Sequence, residues 1–162
     1  MKVAVIIGSV SDYDKIENCL AFLKDMGVSY ELRALSAHRT TKELFKFISE
    51  NDDDIDVYIA GAGKAAHLPG VIAANTSKPV IGIPIKSSAL EGLDALLSIV
   101  QMPAGVPVAT VAINGDKNAA ILACQIMALK YPELSKKVKE YKIKMTEDTL
   151  AKERKFLEDK QN

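Results

Sequence analysis

The chain has two histidines, and each follows a run of residues that predicts a buried strand. His38 lies in the segment SAHR at 36–39, and His67 lies in the small-residue segment AGAGKAAHLPG at 60–70. In an open α/β sheet, ligands bind in the loops at the carboxyl ends of the strands. Histidine is also the side chain whose ordinary pKa lies nearest neutral pH. These two loops are therefore the strongest indication of a functional site in the sequence.

A third polar loop, GSVSD at 8–12, follows the first predicted strand. Backbone N–H groups and a helix N-terminus at such a turn attract an anion, and Ser9 and Ser11 add hydroxyl donors. Asp12 would repel a phosphate, and it fits better on a sugar hydroxyl beside one. Ser11 and Asp12 are equally good helix N-caps, so the loop leaves anion binding and capping both open.

In the loop 36–39, Ser36 and Arg39 flank His38. The planar guanidinium of Arg39 suits a phosphate or a carboxylate, and His38 beside it can exchange a proton near neutral pH. The alternative is an exposed loop with a surface ion pair. The position of the loop after the second predicted strand, facing residues 8–12, favours a binding role.

The segment 61–66, GAGKAA, matches the dinucleotide-binding pattern GxGxxA. It follows the third predicted strand instead of the first, and Lys64 is followed by alanine instead of serine or threonine, so we expect neither NAD nor ATP here. Gly61 and Gly63 instead let the backbone approach a small ligand closely. His67 either reaches that ligand or caps and orients a short helix, and the capping role is slightly favoured. Two further loops, at 87–90 and 101–105, are expected at the same rim.

Strand-like and helix-like segments alternate along the chain. Strands are predicted at 3–7, 30–35, 56–60, 79–84 and 107–113, and helices at 16–23, from a Thr40–Glu43 capping box, at 67–74, 89–100 and 118–130, and from Pro132 onward. Gly27 is expected to end the first helix. This alternation predicts an α/β fold, a three-layer αβα sandwich with a five-stranded parallel sheet, and five strands favour the flavodoxin-like order.

Composition narrows the class of protein. The 162 residues predict a single domain, 1–162, with a core at 1–130 and a helical extension at 131–162. Lys and Arg together number 21, as do Asp and Glu, so no excess charge favours nucleic acid or an anionic membrane. The sequence has no secretory signal and no apolar run of membrane-spanning length, so we expect a cytoplasmic protein. Cys19 and Cys124 lack metal-ligand spacing and are expected to be buried.

Two surface features have simple interpretations. The acidic run 52–56 lacks the glycine and distal glutamate of a calcium loop and is expected to be a solvated loop. The C-terminal helix carries one apolar stripe, which needs a surface on its own domain or on a neighbouring subunit. That stripe consists of Leu134, Val138, Tyr141 and Met145.

Taken together, these loops resemble the PurE family, the N5-carboxyaminoimidazole ribonucleotide mutases of purine biosynthesis. The matching segments are GSVSD at 8–12, SAHRT at 36–40, AGAG at 60–63, AAHLPG at 65–70, SIVQMP at 98–103 and NAA at 118–120. The resemblance covers residues 2–130. It implies an isomerase that moves a carboxylate from the exocyclic nitrogen of an aminoimidazole ribonucleotide to ring carbon C4, without metal, biotin or nucleotide cofactor.

The resemblance also implies roles for individual residues. His38 would be the general acid/base, and Asp12 would contact the ribose. The phosphate contacts would be Ser11, Ser36 and Arg39, with Ser9 close by. Gly61 and Gly63 would bind carboxylate or carbon dioxide through backbone N–H groups, with His67 and Leu68 on that side. Family members are octamers in which the C-terminal helix packs on a neighbouring subunit.

The sequence departs from the family pattern in two places. Lys64 stands where the family usually has a second glycine, and it either points away or adds positive charge near the carboxylate. The segment 113–117 is shorter than in familiar members. The nearest alternative function is direct carboxylation of aminoimidazole ribonucleotide with carbon dioxide, although the intact segment 65–70 favours the mutase. The other alternative is a non-catalytic, flavodoxin-like nucleotide-binding module.

Overall fold

The structure is a computed structural model that describes residues 1–88 and 90–161. Its centre is a five-stranded, wholly parallel sheet in the order β2-β1-β3-β4-β5. The strands are β1 Lys2–Ile7, β2 Ser29–Ala34, β3 Val57–Gly63, β4 Val80–Ile85 and β5 Ala109–Thr110. The predicted fold class and the flavodoxin-like strand order are both confirmed.

The described residues form six α-helices, which pack on the two faces of the sheet. They are α1 Glu17–Asp25, α2 Thr41–Asn51, α3 Leu68–Ala73, α4 Leu93–Val100, α5 Asp116–Met127 and α6 Pro132–Gln161. Helices α1 and α5 bury their apolar sides on one face, together with Leu134 of α6. Helices α2, α3 and α4 bury theirs on the other. Because both faces are covered, β1, β3 and β4 are almost continuously apolar and buried.

Several predicted boundaries were wrong. Strand β5 spans two residues instead of 107–113, because this edge strand pairs with β4 only at Ala109 and Thr110. Helix α4 begins at Leu93, after Gly92 with φ of +92°, and not at 89; Ala89 lies outside the described residues. Helix α5 begins at Asp116, two residues earlier than predicted.

Of the two residues predicted to mark helix ends, Gly27 behaves as predicted and Thr40 does not. Gly27 ends α1 with φ of +71°, as predicted. Thr40 does precede α2, but its hydroxyl makes no cap bond to the helix, so the predicted capping box is wrong. That hydroxyl instead accepts the N–H of Ser36 at 2.8 Å and donates to the Ser36 carbonyl at 3.2 Å. Thr40 therefore fixes the shape of the loop that carries His38.

Two aspartates of the acidic run are not simply solvated, which corrects the predicted solvated loop. Asp52 accepts hydrogen bonds from the hydroxyls of Tyr58 and Thr76. Asp56 accepts the Tyr131 hydroxyl at 2.9 Å, and its side chain is 15% exposed. These carboxylates connect segments that are distant in the chain, which the local composition of the run does not reveal.

The start of α6 packs on its own domain. Leu134 is fully buried, and Tyr141 makes an edge-to-face contact with Phe22, with ring centroids 4.9 Å apart. Farther along the predicted stripe, Met145 is 50% exposed. Over the described residues, α6 and every other helix lack the combination of length and apolarity needed to cross a bilayer.

Both cysteines are buried, as predicted. Burial raises the pKa of Cys19 to about 12 and that of Cys124 to about 11. Their thiols therefore stay protonated at neutral pH and act as small apolar groups.

Candidate active site

A cavity of about 550 Å³ opens at the carboxyl ends of β1, β2, β3 and β4. Since parallel strands end at the same edge, the loops that follow them converge there. Ten of the eleven predicted site residues line the cavity: Ser9, Ser11, Asp12, Ser36, His38, Arg39, Gly63, Lys64, His67 and Leu68. The eleventh, Gly61, lies within β3, where its carbonyl accepts the N–H of Gly8 at 3.0 Å.

The two histidines meet in this cavity. His38 Nε2 lies 2.7 Å from His67 Nδ1, a hydrogen-bond distance, and the rings are edge-to-face with centroids 4.9 Å apart. Both side chains are exposed to the cavity and solvent. One shared proton thus joins them, and each ring keeps a second nitrogen free for a proton donor or acceptor. His67 also occupies the N-cap position of α3, but its side chain makes no cap bond, so the slightly favoured capping role was wrong.

The first loop forms a 3₁₀ helix over Val10–Lys15 instead of the start of an α-helix. Ser9 is its N-cap: Ser9 Oγ accepts the Ser11 N–H at 3.3 Å and the Ser11 hydroxyl at 2.8 Å. Neither Ser11 nor Asp12 caps α1, whose N-cap position is Ile16. Neither side chain is used to cap α1, and both line the cavity.

The loop after β2 is held by its own serine. Ser36 Oγ accepts the backbone N–H groups of His38 and Arg39, both at 3.3 Å. The guanidinium of Arg39 reaches the first loop, with Nη2 3.5 Å from the Gly8 carbonyl. This places a cation beside the hydroxyls of Ser9 and Ser11, an arrangement that can bind a phosphate.

The end of β3 approaches β4 closely. A Cβ atom added at Gly63 would lie 3.1 Å from the carbonyl oxygen of Ile85, a contact tighter than most, so any larger residue here would crowd β4. The next residue, Lys64, has φ of +56°, in the left-handed region that side chains other than glycine rarely adopt. The backbone therefore turns sharply where it borders the cavity.

The loop after β4 contributes residues that the sequence analysis largely missed. Ile85, Lys86 and Ser87 line the cavity, and of these the analysis anticipated the serine alone, as part of the loop 87–90. The rule that found the other loops, position directly after a strand, would have identified Lys86. The loop 101–105 does not line the cavity, so that expectation was wrong. This loop precedes β5, and Gly105 lies instead near the start of β4, with Pro79 and Val80.

The lining is more basic than acidic. Its charged side chains are Asp12, Arg39, Lys64 and Lys86. Burial raises the pKa of Asp12, an effect that the nearby charge of Asp14 adds to and that a hydrogen bond with Ser11 and the charge of Arg39 oppose. In the part of the chain that the structure describes, no three His, Cys, Asp or Glu side chains are grouped to hold a metal ion. The cavity thus suits a small molecule with more than one negative charge.

The chain is similar to a known family of enzymes over most of its length. Residues 2–148 match the family described as AIR carboxylase. The N5-carboxyaminoimidazole ribonucleotide mutase of Thermotoga maritima is 52% identical over 152 residues, which cover 93% of this chain and 89% of the relative. The enzyme of the same name from Saccharolobus solfataricus is 54% identical over 151 residues, covering 93% of this chain and 96% of the relative.

Two further matches extend the comparison. The phosphoribosylaminoimidazole carboxylase of Saccharomyces cerevisiae is 47% identical over 155 residues, 95% of this chain and 27% of the yeast protein. The crystal structure of Treponema denticola PurE superposes with a TM-score of 0.87 at 30% identity, covering 95% of this chain and 97% of that one. With a family match over most of its length and relatives at about half identity, this chain belongs to the AIR carboxylase family, also named PurE.

Proposed function

We propose that this protein is an N5-carboxyaminoimidazole ribonucleotide mutase. It would convert that substrate to 4-carboxy-5-aminoimidazole ribonucleotide in the de novo synthesis of the purine nucleotide IMP. The observation that carries the proposal is the 2.7 Å contact between His38 and His67, within one cavity that also presents Arg39 and serine hydroxyls. Substrate and product are isomers, so the reaction requires no net oxidation or reduction.

The 5′-phosphate would bind between the loops after β1 and β2. Ser11, Ser36 and Arg39 would contact it, and the Ser11 hydroxyl would turn from Ser9 to donate its proton to the phosphate. A guanidinium and hydroxyls are the donors that a phosphate accepts most readily. Asp12 would accept a ribose hydroxyl, which keeps the carboxylate off the phosphate. Binding energy from this end would position the heterocycle toward His38 and His67.

Proton transfer by His38 accounts for the rearrangement. The substrate's N–carboxylate bond breaks, carbon dioxide leaves, and the exocyclic nitrogen takes a proton from the protonated imidazole. Ring carbon C4 then bonds to carbon dioxide, and the proton that C4 loses returns to His38. One proton is given and one recovered, so the enzyme ends as it began. His67, sharing a proton with Nε2, would hold the His38 ring in the orientation this exchange requires.

Carbon dioxide must stay in the cavity between these two steps. The small residues at the end of β3 allow the backbone to close around it, with Gly63 within the lining and Leu68 beside it. Gly61, which lies in β3 next to the lining, would bind carbon dioxide through its backbone N–H group. Holding the two reactants together supplies a large effective concentration, which replaces an external supply of carbon dioxide.

A side-by-side assay tests the proposal. The purified protein is given either the N-carboxylated substrate or aminoimidazole ribonucleotide with bicarbonate, and formation of the 4-carboxylated product is followed. A mutase uses the first efficiently and the second only at high bicarbonate. Preference for the second identifies a direct carboxylase. Ribonucleotide binding without turnover of either identifies a non-catalytic binding module.

The proposed assembly is a homo-octamer in which α6 packs on neighbouring subunits.

A second subunit contact is proposed along α4 and the turn before it. Four apolar residues at helical spacing support it, each 48–59% exposed: Leu90, Leu93, Leu97 and Val100. Leu97→Glu should lower the mass measured by light scattering. Leu129→Glu is the matched control, because Leu129 is an isolated leucine that is 91% exposed. An unchanged mass for Leu97→Glu contradicts this contact.

We further propose that residues 1–162 act as one domain, with its core at 1–130, in the cytoplasm. Burial of Leu134 against the α1–α5 face supports a single folding unit. A single cooperative unfolding transition would agree with it, and cell fractionation tests the location.

A further inference from the structure

Three residues other than glycine have left-handed backbone conformations in the described part of the chain. Their φ angles are +56° at Lys64, +55° at Glu91 and +54° at Asn114. Asparagine tolerates this region, but lysine and glutamate rarely adopt it. Conformations of this kind collect at functional sites, where the surrounding structure holds them.

Lys64 is one of two lysines that line the cavity, and the other two residues both contact the second, Lys86. Lys64 lines the cavity itself. Asn114 Oδ1 accepts the backbone N–H of Lys86 at 2.9 Å, and the Glu91 carboxylate pairs with the Lys86 ammonium group. Lys86 also lines the cavity. The unusual backbone therefore supports a cationic wall at the ends of β3 and β4.

This wall lies apart from the cation of the proposed phosphate site. Arg39 contacts the loop after β1, whereas Lys64 and Lys86 follow β3 and β4. Lys64 has no ion pair within the described residues, and the pair between Lys86 and Glu91 is open to solvent, with side chains 51% and 72% exposed. A solvent-exposed pair of this kind is weak and is readily exchanged for another anion.

We propose that Lys64 and Lys86 form a second anion subsite, which holds the migrating carboxylate and selects carboxylated over decarboxylated ribonucleotides. The proposal rests on the proposed function, because only that reaction supplies a carboxylate next to the histidines. Lys64 and Lys86 line the same cavity as His38 and His67, so the subsite would lie beside the reacting atoms. On binding, the carboxylate would replace Glu91 as the partner of Lys86.

Equilibrium binding tests this assignment. Calorimetry measures the affinities of the 4-carboxylated product and of aminoimidazole ribonucleotide for the wild type, Lys64→Gln and Lys64→Gly. Both variants should weaken binding of the carboxylated ligand about tenfold or more, as expected for a charged hydrogen bond. Binding of the decarboxylated ligand should stay within about twofold, since the remaining contacts are intact. Lys46→Gln, an exposed lysine on α2, is the matched control.

Two additional measurements sharpen the result. Glu91→Gln should tighten binding of the carboxylated ligand alone, because Lys86 loses its competing anion. Lys64→Gly should melt at the same temperature as the wild type or higher. This result would show that the variant is folded, so that its weaker binding is due to the missing ammonium group. Equal weakening of both ligands, or none, by the Lys64 variants overturns the subsite. A wild type that binds neither ligand overturns the proposed function as well.

Discussion

Replacement of His38 by asparagine removes the proposed acid/base group while leaving its surroundings in place. The side chain is exposed, and the backbone N–H of residue 38 would still donate to Ser36 Oγ. The amide of asparagine cannot take up a proton near neutral pH. General acid–base catalysis contributes about 10²–10⁴-fold, and the proposed cycle uses His38 twice. We therefore expect kcat to fall by at least about 10³-fold, equivalent to about 4 kcal/mol in the barrier.

The assay must separate chemistry from binding and folding. Steady-state rates with the N-carboxylated substrate give kcat, calorimetry gives ribonucleotide affinity, and thermal melting reports the fold. Affinity and melting temperature should stay near wild type, because Arg39 and the serines are untouched. His67→Asn is the comparison: it keeps the His38 imidazole but removes its 2.7 Å partner, so its rate should lie between those of the wild type and His38→Asn. Wild-type turnover by His38→Asn would refute the assignment, as would a larger loss in His67→Asn than in His38→Asn.

Two other substitutions give distinct expectations. Arg39→Ala should weaken ribonucleotide binding about 10–100-fold with a smaller effect on kcat, measured by calorimetry and steady-state kinetics; unchanged affinity would contradict a phosphate contact. Asp56→Asn should lower the free energy of unfolding at pH 7 by about 1–3 kcal/mol, measured by urea denaturation. Burial opposes ionisation of Asp56, but hydrogen bonds from the Lys2 N–H, the Tyr131 hydroxyl and Lys130 outweigh it and lower its pKa. The ionised Asp56 therefore stabilises the fold above the ordinary aspartate pKa, and this contribution is lost as the pH falls through the lowered value. The free energies of unfolding of the variant and the wild type should become equal in acid but stay different in base.

The fold was largely predictable because its signals are local. Buried parallel strands such as β1 are continuous apolar runs, and Gly27 ends α1 with the left-handed conformation that glycine adopts freely. The Thr40–Glu43 pattern predicted the start of α2 correctly, but the capping hydrogen bond that it implies is not formed. The Thr40 hydroxyl has a competing partner, the backbone of Ser36, and a pattern of residue types does not show which bond forms.

The candidate site was predicted as a set of loops, but its internal contacts were not. Position after a strand brought Ser9, Ser36 and His67 to one edge, whereas the same rule was misapplied to the loop 101–105, which precedes its strand. The direct contact of His38 with His67 depends on how far each loop extends over the sheet, which spacing along the chain does not specify. Likewise, the hydrogen bond between Asp56 and Tyr131 joins residues 75 positions apart.

A crystal structure of the protein with the 4-carboxylated ribonucleotide tests the central claim most directly. The account predicts the phosphate beside Arg39 and Ser36, and a ring nitrogen of His38 within about 2.6–3.2 Å of the exocyclic nitrogen, directly or through one water, with C4 next to the same ring. A complex in which the phosphate lies at the His67 end, with the heterocycle remote from His38, would contradict it.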